Sequence, residues 1–192
     1  MPKQTKRTLS INSYTYTALF CEENIWLLAK SLHTEGLPIE SMQVLFLSNP
    51  AKQIVLFDQK SVPLGQAVVW DYHVILWAKT TKKSLIFDFD SRLPFPCPAS
   101  QYVHSSFPNP QTLPEKFHFY IRQIPAANYL QQFYSDRKHM QNQIPVDQFP
   151  RYKAIQANPT YSGIALQDYW DMDKQLEDKS KVYPYTEIFE YL

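Results

Sequence analysis

The earliest regular pattern of apolar and polar positions in the chain predicts a helix at about residues 21–33. One face of this helix is apolar and is formed by Ile25, Leu28, Ala29 and Leu32, which recur at three- and four-residue spacing. Glu22 and Glu23 fall in its first turn, where carboxylates interact favourably with the positive end of the helix dipole. Gly36 and Pro38 follow, as is common where a helix ends.

Short apolar runs between turn residues predict β-strands through the middle of the chain. These runs lie at residues 44–47, 54–57, 68–77, 84–90 and 117–121. Their connections are short, which favours antiparallel neighbours over the long crossovers that parallel strands require. The order of helix, strands and helix therefore predicts an α+β fold, with a mainly antiparallel sheet packed against helices.

Proline marks the remaining segments. Residues 93–98 alternate proline with other residues and should be irregular, because proline cannot donate a hydrogen bond to a strand ladder. Pro125 opens a second helix that is predicted to run to about Met140. A proline-rich loop is predicted at 141–165, and a short terminal helix at 186–192.

Length and composition suit a single domain over residues 1–192, with residues 1–13 as a flexible arm. Hydrophobic residues make up 44% of the 192 positions, which is enough for a sizeable core. The net charge is only +1, so nucleic acid and anionic membranes are not expected as partners. No apolar run approaches the roughly 20 residues of a membrane span. With only two cysteines, a disulfide framework is excluded, and the reducing cytoplasm is the expected compartment. A monomer is also expected.

The strands predicted at 68–77 and 84–90 form a hairpin whose polar positions fall together. With the turn centred between positions 80 and 81, His73 faces Asp88, and Asp71 faces Asp90. Facing side chains have Cβ atoms about 4.5–5.5 Å apart, which lets an imidazole and a carboxylate form a hydrogen bond. The same register places a set of apolar side chains on the opposite, buried face: Tyr72, Val74, Leu76, Leu85, Phe87 and Phe89.

Cys21 adds a nucleophile to this pair. It stands where the first helix begins, and both the helix dipole and a neighbouring His73 favour its thiolate. Glu22 and Glu23 oppose that effect. We interpret Cys21 as the nucleophile, His73 as its base and Asp88 as the residue that orients the base.

Each of these residues also has an ordinary structural interpretation. A single cysteine is more often a small core residue than a nucleophile. The four polar hairpin residues, Asp71, His73, Asp88 and Asp90, could instead bind a metal ion. They include one histidine and show no His-x-His or Cys-x-x-Cys spacing, so no metal site is predicted. Cys97 lies between prolines and is interpreted as structural, and His139 is the alternative base.

Four segments of the chain resemble the protein N-terminal glutamine amidohydrolase family. They are Phe20–Trp26, Val69–Val74, Phe87–Cys97 and Tyr129–Met140. The resemblance implies a papain-like or transglutaminase-like core, and it carries the family's catalytic cysteine, histidine and aspartate over to Cys21, His73 and Asp88. It also implies hydrolysis of the side-chain amide of an N-terminal glutamine to glutamate and ammonia, without a cofactor.

The resemblance further implies a cellular role. In eukaryotes the new N-terminal glutamate is arginylated, and the protein is degraded through the N-degron route. The expected partners are the N-termini of proteins or peptides that start with glutamine. The expected location is the cytoplasm, with the nucleus as an additional site in a eukaryote.

Selectivity for a free N-terminus requires a group that binds the α-ammonium. An ammonium in a closed pocket needs a carboxylate partner, and Glu22, Asp71 and Asp90 are the candidates. Trp70, at the start of a predicted strand, is expected to form a wall of the pocket.

The residues alone leave the reaction open. A thiol peptidase, or a transglutaminase-like deamidase that acts on internal glutamine, would use the same three residues. A non-catalytic peptide-binding module is a further alternative, which the presence of all three residues disfavours.

Overall fold

The structure, a computed structural model, describes residues 10–157 and 163–190. It contains four α-helices within these ranges: α1 (Cys21–Thr34), α2 (Ala99–Ser106), α3 (Ala126–Gln132) and α4 (Leu166–Trp170). The strands are β1 (Met42–Ser48), β2 (Ile54–Leu56), β3 (Val68–Trp70), β4 (Tyr72–Lys79), β5 (Ser84–Phe87), β6 (Cys97–Pro98), β7 (Tyr120–Pro125), β8 (Phe133–Tyr134), β9 (Ile164–Ala165) and β10 (Lys181–Pro184). None of the helices in the described ranges is long and apolar enough to cross a membrane.

The predicted first helix is confirmed as α1. Its C-terminus closes through Gly36, whose φ of 101° lies in the left-handed region that glycine adopts most readily. The Leu37 N–H donates to the Leu32 carbonyl at 2.9 Å, and the Gly36 N–H donates to the His33 carbonyl at 3.0 Å. These paired bonds satisfy carbonyl groups that the helix end would otherwise leave free.

A six-stranded antiparallel sheet forms the centre of the molecule, in the order β10-β7-β1-β4-β5-β6. The predicted α+β class with a mainly antiparallel sheet is therefore confirmed. Two separate two-stranded sheets, β2 with β3 and parallel β8 with β9, accompany it.

Both faces of the central sheet are buried. On one face, Val44, Phe46 and Val74 pack against the apolar stripe of α1. On the other face, Leu45, Ile75 and Trp77 form a second core with residues of α2. The hairpin was expected to have one polar face, and that expectation is wrong, because α2 covers the face to which His73 belongs.

The predicted hairpin register is wrong by two residues. Leu76 pairs with Phe87 and Lys79 with Ser84, so the turn is centred one position later than expected. The Thr80 hydroxyl accepts hydrogen bonds from the N–H groups of Lys82 and Lys83, which makes Thr80 the first residue of the turn. An even shift keeps every side chain on its predicted face.

The predicted strand at 68–77 is divided at Asp71. Its first part pairs with β2, and its second part enters the central sheet as β4. The strand predicted at 84–90 ends at Phe87, and the predicted pairing of Asp71 with Asp90 is not formed. The β4–β5 ladder stops at Leu76, which leaves the first residues of β4 without a paired neighbour on that side.

Several boundaries differ from the predictions. The helix from Pro125 ends at Gln132 instead of Met140, because Phe133 and Tyr134 pair with β9. Within the segment predicted as irregular, Cys97 and Pro98 form an edge strand, a position where proline is tolerated. Helix α2 and strands β9 and β10 were not predicted.

The two ends of the chain fall partly outside the described residues. Residues 1–9 of the predicted arm lie outside them, and Ile11–Ser13 form a single 3₁₀ turn. The predicted terminal helix is a 3₁₀ helix at Tyr185–Glu190, and residues 191 and 192 are not described. The predicted loop at 141–165 contains a 3₁₀ turn at Val146–Gln148, and its residues 158–162 are not described.

Candidate active site

One cavity of about 680 Å³ collects most of the residues with candidate chemistry. It opens where the start of α1, the start of β4 and the segment after β5 meet. Its lining includes Tyr16, Cys21, Lys60, Trp70, Asp71, Tyr72, His73, Asp90 and His139. Residues that are distant in the sequence, including the nucleophile and the base that we predicted, therefore share one space.

The start of α1 holds Cys21 in a defined position. Asn24 clamps the segment before the helix, because its side chain donates to the Thr17 carbonyl at 2.7 Å and accepts from the Thr17 N–H at 2.8 Å. Leu19 turns the chain through a left-handed conformation with φ of 68°. Cys21 is the first helical residue, and its thiol is partly exposed to the cavity.

The electrostatic surroundings of Cys21 favour its neutral thiol form. Burial raises the pKa of the thiol well above its usual value, and the carboxylates of Glu22 and Asp90 raise it further. A hydrogen bond from the Val74 backbone N–H to the sulfur lowers it. The predicted bias toward thiolate from the helix dipole and His73 is therefore not the net effect here.

His73 is buried and bound to Asp88. Its Nε2 lies 3.0 Å from Asp88 Oδ1, although Asp88 follows the last residue of β5 instead of facing His73 in a ladder. The Trp70 ring lies nearly parallel to the imidazole, with an interplanar angle of 13° and centroids 6.1 Å apart. Trp70 thus forms a wall of the cavity beside His73.

Asp88 is surrounded by hydrogen-bond donors. Its Oδ2 accepts from the Tyr102 hydroxyl at 2.7 Å and from the Gln59 side-chain amide at 3.2 Å. Its Oδ1 also accepts from the Asp90 N–H at 2.9 Å. Burial alone would raise the pKa of Asp88, but His73, Tyr102 and the Asp90 N–H hold it below its usual value.

The charge of Asp88 acts in return on His73. Burial lowers the pKa of the imidazole, whereas Asp88 and Asp90 raise it, and the net direction is upward. The imidazolium form of His73 is therefore stabilised, in a side chain that lines the same cavity as Cys21.

Glu22 is fully buried and does not line the cavity, so it is not placed to contact a substrate directly. Its Oε2 accepts from the Tyr72 hydroxyl at 2.9 Å, and the Cys21 sulfur lies 3.7 Å from the same oxygen. Its Oε1 has no hydrogen-bond partner among the described residues, and His139 Nε2 lies 3.9 Å away. Burial raises the pKa of Glu22 to about 7.

Glu23 is also fully buried, but its charge is paired. Arg137 donates to both carboxylate oxygens, from Nε at 2.8 Å and from Nη2 at 2.6 Å. The same guanidinium donates to the carbonyls of Pro150 and Tyr152. Arg137 therefore connects this loop to the first turn of α1.

Asp71 and Asp90 both line the cavity. Asp71 is exposed, and its Oδ1 accepts from the Tyr72 N–H at 2.9 Å. Asp90 is partly buried, and the Tyr16 hydroxyl donates to its Oδ1 at 2.5 Å. Burial raises the pKa of Asp90, with a further upward effect from Asp88, despite the opposing effects of His73 and Tyr16.

The structure also places the alternative candidates: the metal site, Cys97 and His139. His73, Asp88 and Asp90 offer donor atoms within 4.8 Å of one another, as a metal site would require, but the first two already bind each other. Cys97 is buried in the core on the α2 face and does not line the cavity. His139 lines the cavity, where burial lowers its pKa.

Three residues of the site were not predicted. Tyr102 and Gln59 bind Asp88, and Tyr16 binds Asp90. Tyr102 lies on α2, a helix without a recognised start signal, and Gln59 lies in a loop. Their polar side chains carry no sequence signal that would connect them to a carboxylate elsewhere in the chain.

A cavity lined by a thiol at a helix start and by an imidazole that binds a buried carboxylate is typical of cysteine-dependent acyl-transfer enzymes. Comparison with known proteins narrows this class. The sequence model of the N-terminal glutamine amidase family matches residues 16–192. The chain therefore belongs to the N-terminal glutamine amidase family, and it is an amidohydrolase.

Similar curated proteins carry a consistent name. A protein N-terminal glutamine amidohydrolase of Danio rerio is 39% identical over 137 residues, which cover 70% of this chain and 68% of the relative. Those of Bos taurus and Homo sapiens are 34% and 33% identical over 165 residues. These alignments cover 84% of this chain and 79% and 80% of the two relatives.

Proposed function

We propose that this protein hydrolyses the side-chain amide of an N-terminal glutamine in proteins or peptides, giving glutamate and ammonia. The observation that carries the proposal is the 3.0 Å bond between His73 and Asp88 in a cavity that also exposes Cys21. Family membership and the names of the relatives support the choice of substrate.

The proposed mechanism begins with proton transfer from Cys21 to His73. Because Nε2 of His73 is bound to Asp88, the proton is received at Nδ1. The thiolate attacks the side-chain carbonyl carbon of glutamine and forms a C–S bond. The imidazolium then protonates the nitrogen of the tetrahedral intermediate, the C–N bond breaks, and ammonia leaves while the thioester remains on Cys21. Water, deprotonated by His73, hydrolyses the thioester and restores the thiol.

The start of α1 supplies a place for the oxyanion of the tetrahedral intermediates. A helix leaves its first backbone N–H groups without internal acceptors, and that of Cys21 is one of them. These N–H groups and the positive end of the dipole favour a developing negative charge at this position.

Asp90 is the carboxylate that we assign to the α-ammonium of the substrate. It lines the cavity with Cys21 and His73, and Tyr16 fixes one of its oxygens. Asp71 is more exposed to water, which weakens its attraction for a cation. Trp70 would then contact the apolar part of the glutamine side chain.

The arrangement is also consistent with a papain-like or transglutaminase-like core. In the proposal, α1 presents the nucleophile from one side of an antiparallel sheet, and β4 presents the base. Where a cell arginylates N-terminal glutamate, the product would enter the N-degron route, and a cytoplasmic monomer would meet such substrates.

Ammonia release from a glutamine-first peptide tests the proposal. Cys21→Ala should abolish release, whereas the matched Cys97→Ala should retain it, because Cys97 does not line the cavity. Peptides with Nα-acetyl glutamine or internal glutamine should release far less ammonia. Comparable release from all three would instead indicate a transglutaminase-like deamidase of internal glutamine, and backbone cleavage would indicate a thiol peptidase.

A further inference from the structure

Carboxylates dominate the surroundings of the proposed nucleophile. The Cys21 sulfur lies 3.7 Å from Glu22 Oε2, and Asp71 and Asp90 line the same cavity. Lys60 also lines it, but its Nζ donates to the Phe89 carbonyl at 2.8 Å. The site is therefore rich in negative charge at the place where a thiolate would have to form.

These carboxylates act on the thiol in one direction. After burial, which is the largest effect, Glu22, Asp90 and Asp71 each raise the pKa of Cys21. Tyr16 and Tyr72 also line the cavity, but the pKa values of their hydroxyls are raised, so the hydroxyls stay neutral. These protein groups together disfavour the thiolate form of Cys21, on which the proposed reaction depends.

We propose that Glu22, Asp71 and Asp90 hold Cys21 as an unreactive thiol until substrate binds, and that the α-ammonium of a bound N-terminus then activates it. This inference rests on the proposed function. A cation against Asp90 cancels part of the negative field at the sulfur. The proton then moves from Cys21 to His73, where Asp88 stabilises the imidazolium, and no other reactant is required.

This arrangement makes the α-ammonium part of the chemistry as well as an anchor. A substrate without that charge would leave the carboxylate field in place even at saturation. Nα-acetylation of a glutamine-first peptide should therefore lower kcat in addition to raising KM. An anchor alone would act on binding without changing the protonation of the thiol.

The first test titrates the Cys21 thiolate in the ligand-free protein by its ultraviolet absorbance, with Cys21→Ala as the blank. Glu22→Gln and, separately, Asp90→Asn should lower the thiol pKa by about one unit, which is tenfold more thiolate at a fixed pH. Glu40→Gln, at an exposed carboxylate outside the cavity, should not. If Glu22→Gln does not fold, Asp90→Asn still tests the proposal, because Asp90 is partly exposed and its change should be tolerated. An unchanged thiol pKa in the folded variants would overturn the proposal.

The second test adds a norleucine-first peptide, which has a free α-ammonium but no amide to hydrolyse. At saturation it should lower the thiol pKa, whereas its Nα-acetyl counterpart should not. Failure of the free-amine peptide to bind by calorimetry, or an unchanged pKa when bound, would overturn the proposal. Neither readout measures turnover. A failure of this inference can therefore be distinguished from a failure of the proposed function, which ammonia release from a glutamine-first peptide tests.

Discussion

Asp88 and Glu22 are two buried carboxylates that contact different members of the candidate site, and their surroundings differ. Asp88 binds the imidazole of His73, whereas Glu22 lies 3.7 Å from the Cys21 sulfur. Asp88 accepts four hydrogen bonds, from His73, Tyr102, Gln59 and the Asp90 N–H, and its pKa is lowered. Glu22 accepts a 2.9 Å bond from the Tyr72 hydroxyl, and within the part of the chain that the structure describes its Oε1 has no hydrogen-bond partner.

The comparison shows how the number of donors sets the charge of a buried carboxylate. With several donors, Asp88 remains ionised and can orient an imidazole permanently. With few donors, Glu22 has a pKa of about 7 and can gain or lose a proton near neutral pH. Near neutral pH, Asp88 therefore keeps its charge, whereas the charge of Glu22 depends on pH.

The largest expected effect comes from neutralising Asp88. Asp88→Asn should lower kcat by about 10⁴, because the imidazole loses the group that selects its tautomer and stabilises its charged form. Steady-state ammonia release measures this loss. Asp71→Asn removes an exposed carboxylate from the same cavity, and its effect on kcat should be much smaller. Equal losses would show that Asp88 has no special role.

The next effect concerns the pH dependence of stability. Folding raises the pKa of Glu22 from 4.5 to about 7, so its contribution to folding is fully present below about pH 4.5 and is lost as pH rises to about 7. The loss is up to about 3 kcal/mol. Urea unfolding at a series of pH values should show this decline in the wild type.

Glu22→Gln should make that decline smaller, because the amide does not titrate, while Asp90 and His73, whose pKa values are also raised, still contribute to it. Asp88 has the opposite sign, since its lowered pKa contributes stability that is lost only as pH falls. Parallel stability curves for wild type and Glu22→Gln between about pH 4.5 and 7 would contradict the pKa direction that we assign to Glu22.

A smaller effect is expected when Asp88 loses a single donor. Tyr102→Phe removes the 2.7 Å bond to a buried carboxylate that stays charged, which should cost about 2 kcal/mol of unfolding free energy. Chemical denaturation at neutral pH measures the cost. A neutral result would show that the remaining donors suffice for Asp88.

The smallest effect is expected from the matched change beside Glu22. Tyr72→Phe removes a bond of similar length, 2.9 Å, but Glu22 can take up a proton and become neutral. We therefore expect a cost below about 1 kcal/mol near neutral pH, and a further rise in the pKa of Glu22. A larger cost than that of Tyr102→Phe would reverse the comparison.

The hairpin shows why the pairing of His73 with Asp88 was predicted although the register was not. Alternation along a strand depends only on whether a register shift is odd or even, and the shift of two residues left both side chains on one face. Asp88 then reaches His73 because the chain leaves the ladder after Phe87. The local turn around Thr80, which sets the register, carries no strong sequence signal.

Helix α1, the alternation of β4 and the position of Cys21 at a helix start follow from short-range patterns, which the sequence alone determines. Other features depend on segments that meet only in the folded chain. They are the donors to Asp88, the ion pair of Glu23 with Arg137 and the hydrogen bond of Glu22 to Tyr72. Glu22 and Glu23 are adjacent and chemically identical. No local pattern therefore distinguishes Glu23, which binds Arg137, from Glu22, which binds Tyr72. The tertiary structure decides between them, because burial and the number of nearby donors set the charge of a carboxylate.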